Sequence, residues 1–308
     1  MIFYETADVS VLMTVYNGER FIKEAIESVI SQTFENWQLV LVDNASTDGT
    51  LNIINSFTDI RIHKVFLDQQ ISRTQALNLA LRESNSEFIA ILDADDLAER
   101  DRLKVQVQFM KDNPNAGIVT SCAKLIDANG EVFAYWRPPG FPELLNNYLS
   151  WDMPICHSTM LARRKVLVEN FFGYNEELKI GQDWDLGIRV AQRYPIFSVN
   201  EILGSWRRFE GSITGSPENF LTGRLETIKI LETGKTLAKD QKTLRKNKCQ
   251  IAVNMLAVSY LSLNIGKFKQ SMRYFSKALF LYPLAIFKNN FFSKLLYGRD
   301  KKSFVSPE

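Results

Sequence analysis

The sequence predicts an α/β protein: a largely parallel central sheet with helices on both faces, continued by an all-helical C-terminal appendage. Three observations lead there. Short apolar runs alternate with helix-spaced segments through the first third of the chain. The runs end in loops dense in Asp, Asn, Ser, Thr and Gly, and strands alternating with helices across short loops make parallel βαβ units. From about Leu221 onward the strand-like runs cease and the chain reads as helix.

Taken in order, Val9 to Met13 reads as the first strand and Thr14-Val15-Tyr16-Asn17-Gly18 as the loop after it. Phe21 to Ser31 carries apolar residues at helical spacing (Phe21, Ala25, Ile26, Val29, Ile30). Trp37 to Val42 is a second buried strand, ending in Asp43-Asn44-Ala45-Ser46-Thr47-Asp48-Gly49-Thr50, a run of turn and cap formers. A helix over Leu51 to Phe57, a strand over Arg61 to Phe66, a helix over Thr74 to Ser84 and a strand over Phe88 to Leu92 follow. Beyond these, Arg100 to Asn113 is an amphipathic helix stopped by Pro114. Gly117 to Lys124 and Val132 to Tyr135 flank the turn Asp127-Ala128-Asn129-Gly130 and predict a hairpin. Ile155 to Ala162 reads as a strand, Gln182 to Arg193 as a helix, and Trp206 to Ser216 as a polar lid-like loop. The expected division is 1–220 and 221–308. In the second part Gly266, Phe268, Phe275, Ala278 and Pro283 fit one tetratricopeptide-like hairpin, and a single repeat must pack on a larger body.

The composition is ordinary for a globular protein, 45% hydrophobic and 23% charged over 308 residues. Cys122, Cys156 and Cys249 are odd in number and lack metal-ligand spacing, so a reducing cytoplasm is expected. The N-terminus runs straight into the first strand, and no signal peptide is expected. No apolar stretch reaches the roughly 20 residues that span a bilayer. The net charge of +2 hides an asymmetry: residues 226–308 hold 16 Lys and Arg against 5 Asp and Glu, and the rest 21 against 30. An acidic body with a basic tail points to an anionic partner for the tail.

The most informative stretch is Ile89-Ala90-Ile91-Leu92-Asp93-Ala94-Asp95-Asp96. A buried strand here ends in three carboxylates, at the strand end where open α/β sheets place ligands. Crowded carboxylates repel unless they share a cation, and oxygen ligands suit Mg2+ or Mn2+, which also hold substrate phosphates. The plainer reading is an acidic turn that caps the next helix.

Four motifs then stand in one order: Thr14-Val15-Tyr16-Asn17; Asp43 to Thr50; Leu92-Asp93-Ala94-Asp95-Asp96; and Gln182-Asp183-Trp184-Asp185-Leu186-Gly187-Ile188-Arg189. Together they resemble the family 2 glycosyltransferases, inverting GT-A enzymes that use nucleotide-diphospho-sugars. The resemblance reaches to about Gly215 and implies a Rossmann-like GT-A fold. It implies that Thr14 and Tyr16 hold the nucleotide base, and that Asp43 accepts a hydrogen bond from a uracil or thymine ring nitrogen. Arg73 would lie by the diphosphate, Asp93 near the ribose and sugar, and Asp95 on a Mn2+ or Mg2+ ion. Asp183 would be the catalytic base. Asp48 and Asp96 read better as helix caps, and Asp185 with Arg189 as a structural pair one helical turn apart.

The sequence departs from the family at two points. Gln182 stands where many members have Glu. Phe209 stands where many have a histidine over the phosphates, which would leave that contact to Arg207 or Arg208. His157 either lines the acceptor side or is a hydrogen-bonded core residue.

The run from Pro283 to Tyr297 sets aromatic and aliphatic residues beside lysines, with Arg299, Lys301 and Lys302 beyond. It resembles an interfacial helix for an anionic membrane surface. No readout motif accompanies the charge, so nucleic acid is not expected. The expected activity is transfer of a sugar from a UDP- or dTDP-sugar to a glycan or lipid-linked acceptor in bacterial surface polysaccharide synthesis, in the cytoplasm or on the inner face of the plasma membrane. A sugar-nucleotide pyrophosphorylase would need a Gly-rich loop where Thr14 to Gly18 stands. A non-catalytic interaction protein on a decayed scaffold would lack the carboxylates that are present.

Overall fold

The computed structural model describes residues 7–138, 156–170, 173–209, 217–235, 240–283 and 304–305. Its first half alternates as expected: β1 (Val9–Val15), α1 (Ile22–Ile30), β2 (Trp37–Asp43), α2 (Thr50–Ser56), β3 (Ile62–Phe66), α3 (Arg73–Arg82) and β4 (Phe88–Ile91). These four strands are parallel in the order β3-β2-β1-β4. β1, β2 and β4 read clearly in the sequence because both faces are covered and their residues are mostly apolar, whereas β3, at the sheet edge, carries His63 and Lys64 and is half exposed.

Past β4 the sheet is mixed. After the short β5 (Leu97–Ala98) and α4 (Arg102–Asp112) come β6 (Ile118–Ile126) and β7 (Val132–Trp136), the expected hairpin. Its turn is closed by Asp127 Oδ1, which accepts from the Asn129 and Glu131 N–H groups at 2.8 and 3.0 Å, and Gly130 supplies the left-handed φ of +87°. β8 (Leu161–Arg163) sits antiparallel between β4 and β6. The strand expected over Ile155 to Ala162 is thus a shorter one, preceded by a 3-10 turn at His157–Thr159.

The helix carrying Asp183 is α5 (Gln182–Ala191), and β9 (Ile196–Arg207) follows, parallel to β6. Trp206 and Arg207 therefore lie in a strand rather than in the expected loop. β9 is hard to see in sequence because it bulges: Ser121 faces Val199 while Cys122 faces Ile202, which resets the alternation of faces. Of the expected lid, residues 210–216 lie outside the described residues, as does most of the Trp136 to Asp152 loop.

Side chains alternate between two cores. Val11, Met13, Leu39, Leu41 and Ala90 face α1, α2 and α4. Leu12, Val40, Val42, Ile89 and Ile91 face α3 and α5, and this second core continues into the C-terminal helices through Ile228, Ile230, Leu231 and Val253. Those helices are α6 (Pro217–Gly234), α7 (Gln241–Asn264) and α8 (Phe268–Leu281). Gly266 turns α7 into α8 with φ +74°, and Ala278 is fully buried between them, as a hairpin repeat requires. Phe268 and Phe275 depart from that pattern and are exposed. A two-residue strand, β10 (Phe304–Val305), pairs with β7 at the sheet edge and corrects the all-helix reading of the C-terminus. The proposed interfacial run, from Leu284 on, lies outside the described residues. No helix among the described residues is long and apolar enough to cross a membrane.

Candidate active site

The loops that follow β1, β2 and β4 open at the carboxyl edge of the parallel strands. The first two are tied together. Asn17, held at φ +52°, accepts the Thr47 N–H on its Oδ1 at 2.8 Å and donates its own N–H to Ser46 Oγ at 2.9 Å. Glu19 Oε2 accepts the Gly49 N–H at 2.7 Å, and Asp48 Oδ2 accepts the Glu19 N–H at 3.2 Å. Asp48 Oδ1 also accepts from the Thr50 N–H at 3.0 Å and its hydroxyl at 2.5 Å, one residue before Gly49, the N-cap of α2, so Asp48 closes the loop ahead of the helix rather than standing at its N-cap. Thr14 is half-buried on β1. Tyr16 is 45% exposed and offers an open ring at the site's rim.

Asp43 is buried at the end of β2, opposite Val15. Its Oδ2 accepts the Ser46 N–H at 3.2 Å, while its buried Oδ1 has no hydrogen-bond partner. It does not cap α2, whose N-cap is Gly49. A buried acceptor left unmatched in the protein is costly unless a ligand completes it. Asn44 links this loop to the next by bonding Ile71 at both N–H (2.9 Å) and carbonyl (2.8 Å). That link fixes the start of α3, where Ser72 and Gln75 form a capping box.

Arg73 is the first residue of α3 and is half-buried there. Its Nη2 donates to Asp93 Oδ1 at 2.5 Å. Burial would lower the Arg73 pKa, but the charges of Asp93, then Asp95 and Asp183, raise it above its ordinary value. One guanidinium thus senses carboxylates from two ends of the sequence: the acidic loop after β4 and the first turn of α5.

The three carboxylates after β4 offer oxygen atoms within 4.8 Å of one another, a spacing that suits one hard divalent cation. Their states differ. Burial would raise the Asp93 pKa, but Arg73 and His157 hold it well below the ordinary carboxylate range. Burial and the charge of Asp93 push Asp95 up to about 6. Asp96 is pushed well above its ordinary value by burial and by the other two acids. Asp96 is not the helix cap that the sequence suggested, since Asp101 stands at the N-cap of α4. Its Oδ2 instead accepts a short bond from Ser158 Oγ, and its Oδ1 accepts the Arg207 N–H at 2.7 Å. With Asp93 on Arg73 and Asp96 so engaged, the Asp95 carboxylate is the one that takes no donor from another residue among the described residues.

His157 is the buried alternative of the two considered. Its Nε2 lies 2.9 Å from the Tyr174 hydroxyl, and its Nδ1 lies 3.5 Å from Asp93 without the alignment of a hydrogen bond. Ser158 and Tyr174 were not found from sequence, since a hydroxyl inside an apolar run carries no signal of its partner.

Asp183 is buried in the first turn of α5, its Oδ1 accepting the Trp184 N–H at 2.8 Å. Gln182 is buried beside it. Asp185 and Arg189 pair at 2.7 Å as expected. Arg207 is committed elsewhere: it donates to Asp95 O (2.9 Å), Asp127 O (3.2 Å) and Glu24 (2.7 Å), and its guanidinium covers the Phe21 ring. Phe209 packs on that same ring, 4.9 Å between centroids. Arg208 stacks over Trp206 at 5.1 Å.

Residues 10–172 match the family model described as glycosyl transferase family 2. An uncharacterized glycosyltransferase of Methanocaldococcus jannaschii is 31% identical over 205 residues, which are 65% of this chain and 70% of that one. A Bacillus subtilis protein provisionally named as the teichuronic acid biosynthesis glycosyltransferase TuaG is 36% identical over 217 residues, 68% of this chain and 82% of that one. Among solved structures, S. aureus TarS 1–349 in complex with UDP-GlcNAc superposes with a TM-score of 0.60 at 19% identity, covering 90% of this chain and 91% of that one. The mannosyltransferase PcManGT from Pyrobaculum calidifontis, in complex with GDP-Man and Mn2+, gives 0.60 at 21% identity over 97% and 89%. At such identities these two share the GT-A fold, a curled central sheet flanked by helices.

Proposed function

Because the chain belongs to glycosyl transferase family 2, we propose that it moves a sugar, with inversion, from a UDP- or dTDP-sugar to a hydroxyl of a glycan or lipid-linked acceptor in bacterial surface polysaccharide synthesis. The observation that carries the reading is the acidic cluster after β4, whose three carboxylates offer oxygens within 4.8 Å of one another with Asp93 paired to Arg73; the charges of Asp93, Asp95 and Asp183 accordingly raise the Arg73 pKa. An in-line displacement needs phosphate-side charge and a separate acceptor-side base in one cleft.

Asp43 is the group for the base. Its unmatched Oδ1 suits the one imide N–H that uracil and thymine present, with Tyr16 stacking on the ring and Thr14 beside it. Asp95, with Asp93 next to it, would hold a Mn2+ or Mg2+ ion, which when bound supplies Lewis-acid stabilisation of the departing diphosphate. Arg73 and Asp93 orient the ribose and diphosphate. Arg208 takes the phosphate contact expected of this loop, since Arg207 is engaged. Asp183 accepts the proton of the acceptor hydroxyl. The complex of S. aureus TarS with UDP-GlcNAc and the relative named for teichuronic acid synthesis support a nucleotide-sugar donor and the process, and the GDP-Man complex of PcManGT is the reason GDP-sugars belong in the test. The basic run after Pro283 would hold the enzyme to anionic lipid at the inner membrane face, and its deletion should release the protein from anionic liposomes.

A panel of UDP-, dTDP- and GDP-sugars, scored by thermal stabilisation with and without Mn2+, tests the donor. Stabilisation by a UDP or dTDP species that grows with Mn2+ is expected; none by any of them would overturn the reading. Asp183→Asn should keep that stabilisation and lower turnover by about 10²-fold or more, the usual scale of a general base.

A further inference from the structure

The turn before the Asp183 helix is held from outside the catalytic sheet. Glu226, buried in the middle of α6, accepts three consecutive backbone N–H groups: Lys179 at 2.8 Å on one oxygen, and Ile180 at 2.9 Å and Gly181 at 3.0 Å on the other. Gly181 is the N-cap of α5 and has no side chain to close that helix start. The carboxylate of Glu226 satisfies the N-cap N–H and the two before it, and a negative charge at a helix N-terminus is favoured by the peptide dipoles.

Packing reinforces the grip. A Cβ on Gly181 would come 2.8 Å from Ile230 Cδ1, and one on Gly223 would come 3.4 Å from Ile180 Cγ2. The turn therefore lies directly on α6, with bare backbone on each side at the points of closest approach. Asp183 follows two residues after the last N–H held by Glu226. Its own local contact is one bond to the next residue's N–H, which does not fix where the helix start sits.

We propose that Glu226 is a positioning residue: it sets the place of Asp183 by clamping residues 179–181, and so makes the C-terminal helices part of the catalytic apparatus. This rests on Asp183 being the base. Glu226 touches neither donor nor acceptor. Its loss should therefore lower kcat and leave donor binding alone.

Glu226→Gln keeps the shape and replaces one oxygen by a donor, which must oppose at least one of the three N–H groups. It should reduce kcat at saturating donor and acceptor by about tenfold or more, the scale of sub-ångström misplacement of a reacting group. Mn2+-dependent stabilisation by the donor found in the panel should be unchanged. A residue that only stabilised the fold would lower the unfolding temperature and leave kcat per donor-binding site intact; that outcome overturns the proposal.

If Glu226→Gln does not fold, Glu226→Asp keeps the charge but shortens its reach by one methylene, and it should lower kcat while leaving donor stabilisation unchanged. Full kcat in folded Glu226→Asp overturns the proposal. Asp183→Asn is run in parallel. Retained turnover there sinks the base assignment itself, whereas a dead Asp183→Asn beside a fully active Glu226→Gln sinks the clamp alone.

Discussion

Asp93 and Asp95 are two positions apart and are driven in opposite directions. Arg73 and His157 hold Asp93 charged against its burial, and that charge together with burial raises Asp95 to about 6. The folded protein therefore binds more protons at Asp95 than the unfolded chain between its ordinary 3.8 and about 6. The contribution to stability is present at low pH and is lost as pH rises through about 6. Cation binding runs the other way, because the ligand must be deprotonated. Mn2+ affinity, titrated by calorimetry from pH 5 to 8, should rise up to about 6 and then level off. Asp95→Asn should abolish both the affinity and its pH dependence. At Asp43, the unmatched oxygen predicts that Asp43→Asn weakens UDP binding by about tenfold or more, the scale of a hydrogen bond to a charged group, as read by isothermal titration. These acids were legible because short motifs carry them. Asp96 was not: its partners Ser158 and Arg207 lie 62 and 111 residues away, and nothing local distinguishes a buried carboxyl from a helix cap.

Among the elements, the end of β9 does what a motif search would not suggest. Arg207 joins the acidic loop, the β6–β7 turn and α1 in one buried group. Arg207→Met removes the guanidinium that covers Phe21, its donors to two carbonyls and its pair with Glu24. It should destabilise the fold by about 2–3 kcal/mol, because buried acceptors are left unmatched; the midpoint of urea unfolding reads this. The strands β1 to β4 were predictable to within a residue or two, since burial on both faces makes β1, β2 and β4 mostly apolar. β8 and β9 were blurred by a 3-10 turn and a bulge, which break the period that sequence reading depends on. The parallel half of the sheet and the β6–β7 hairpin were therefore visible, while the extent of β8 and the whole of β9 were not.

For the molecule as a whole, the C-terminal helices share a core with the sheet face that carries α3 and α5. A chain ended after Phe209 would bare that face. It should lose its cooperative thermal transition, measured by calorimetry, whereas a chain ended after Pro283 should keep one. The sequence showed that a helical region followed the transferase motifs, and that a lone hairpin would need a body to pack on. It could not show where the two meet, because Glu226 and the turn it holds stand 45–47 residues apart.

That junction limits how such a chain can be re-engineered. Trading the last ninety or so residues for those of a homologue would swap one half of a lock while leaving the other half behind. Hybrids should work only when the segment around Lys179 to Gly181 is inherited from the same parent as the helix that grips it. Swaps meant to alter what the enzyme modifies should therefore cut the chain upstream of Lys179.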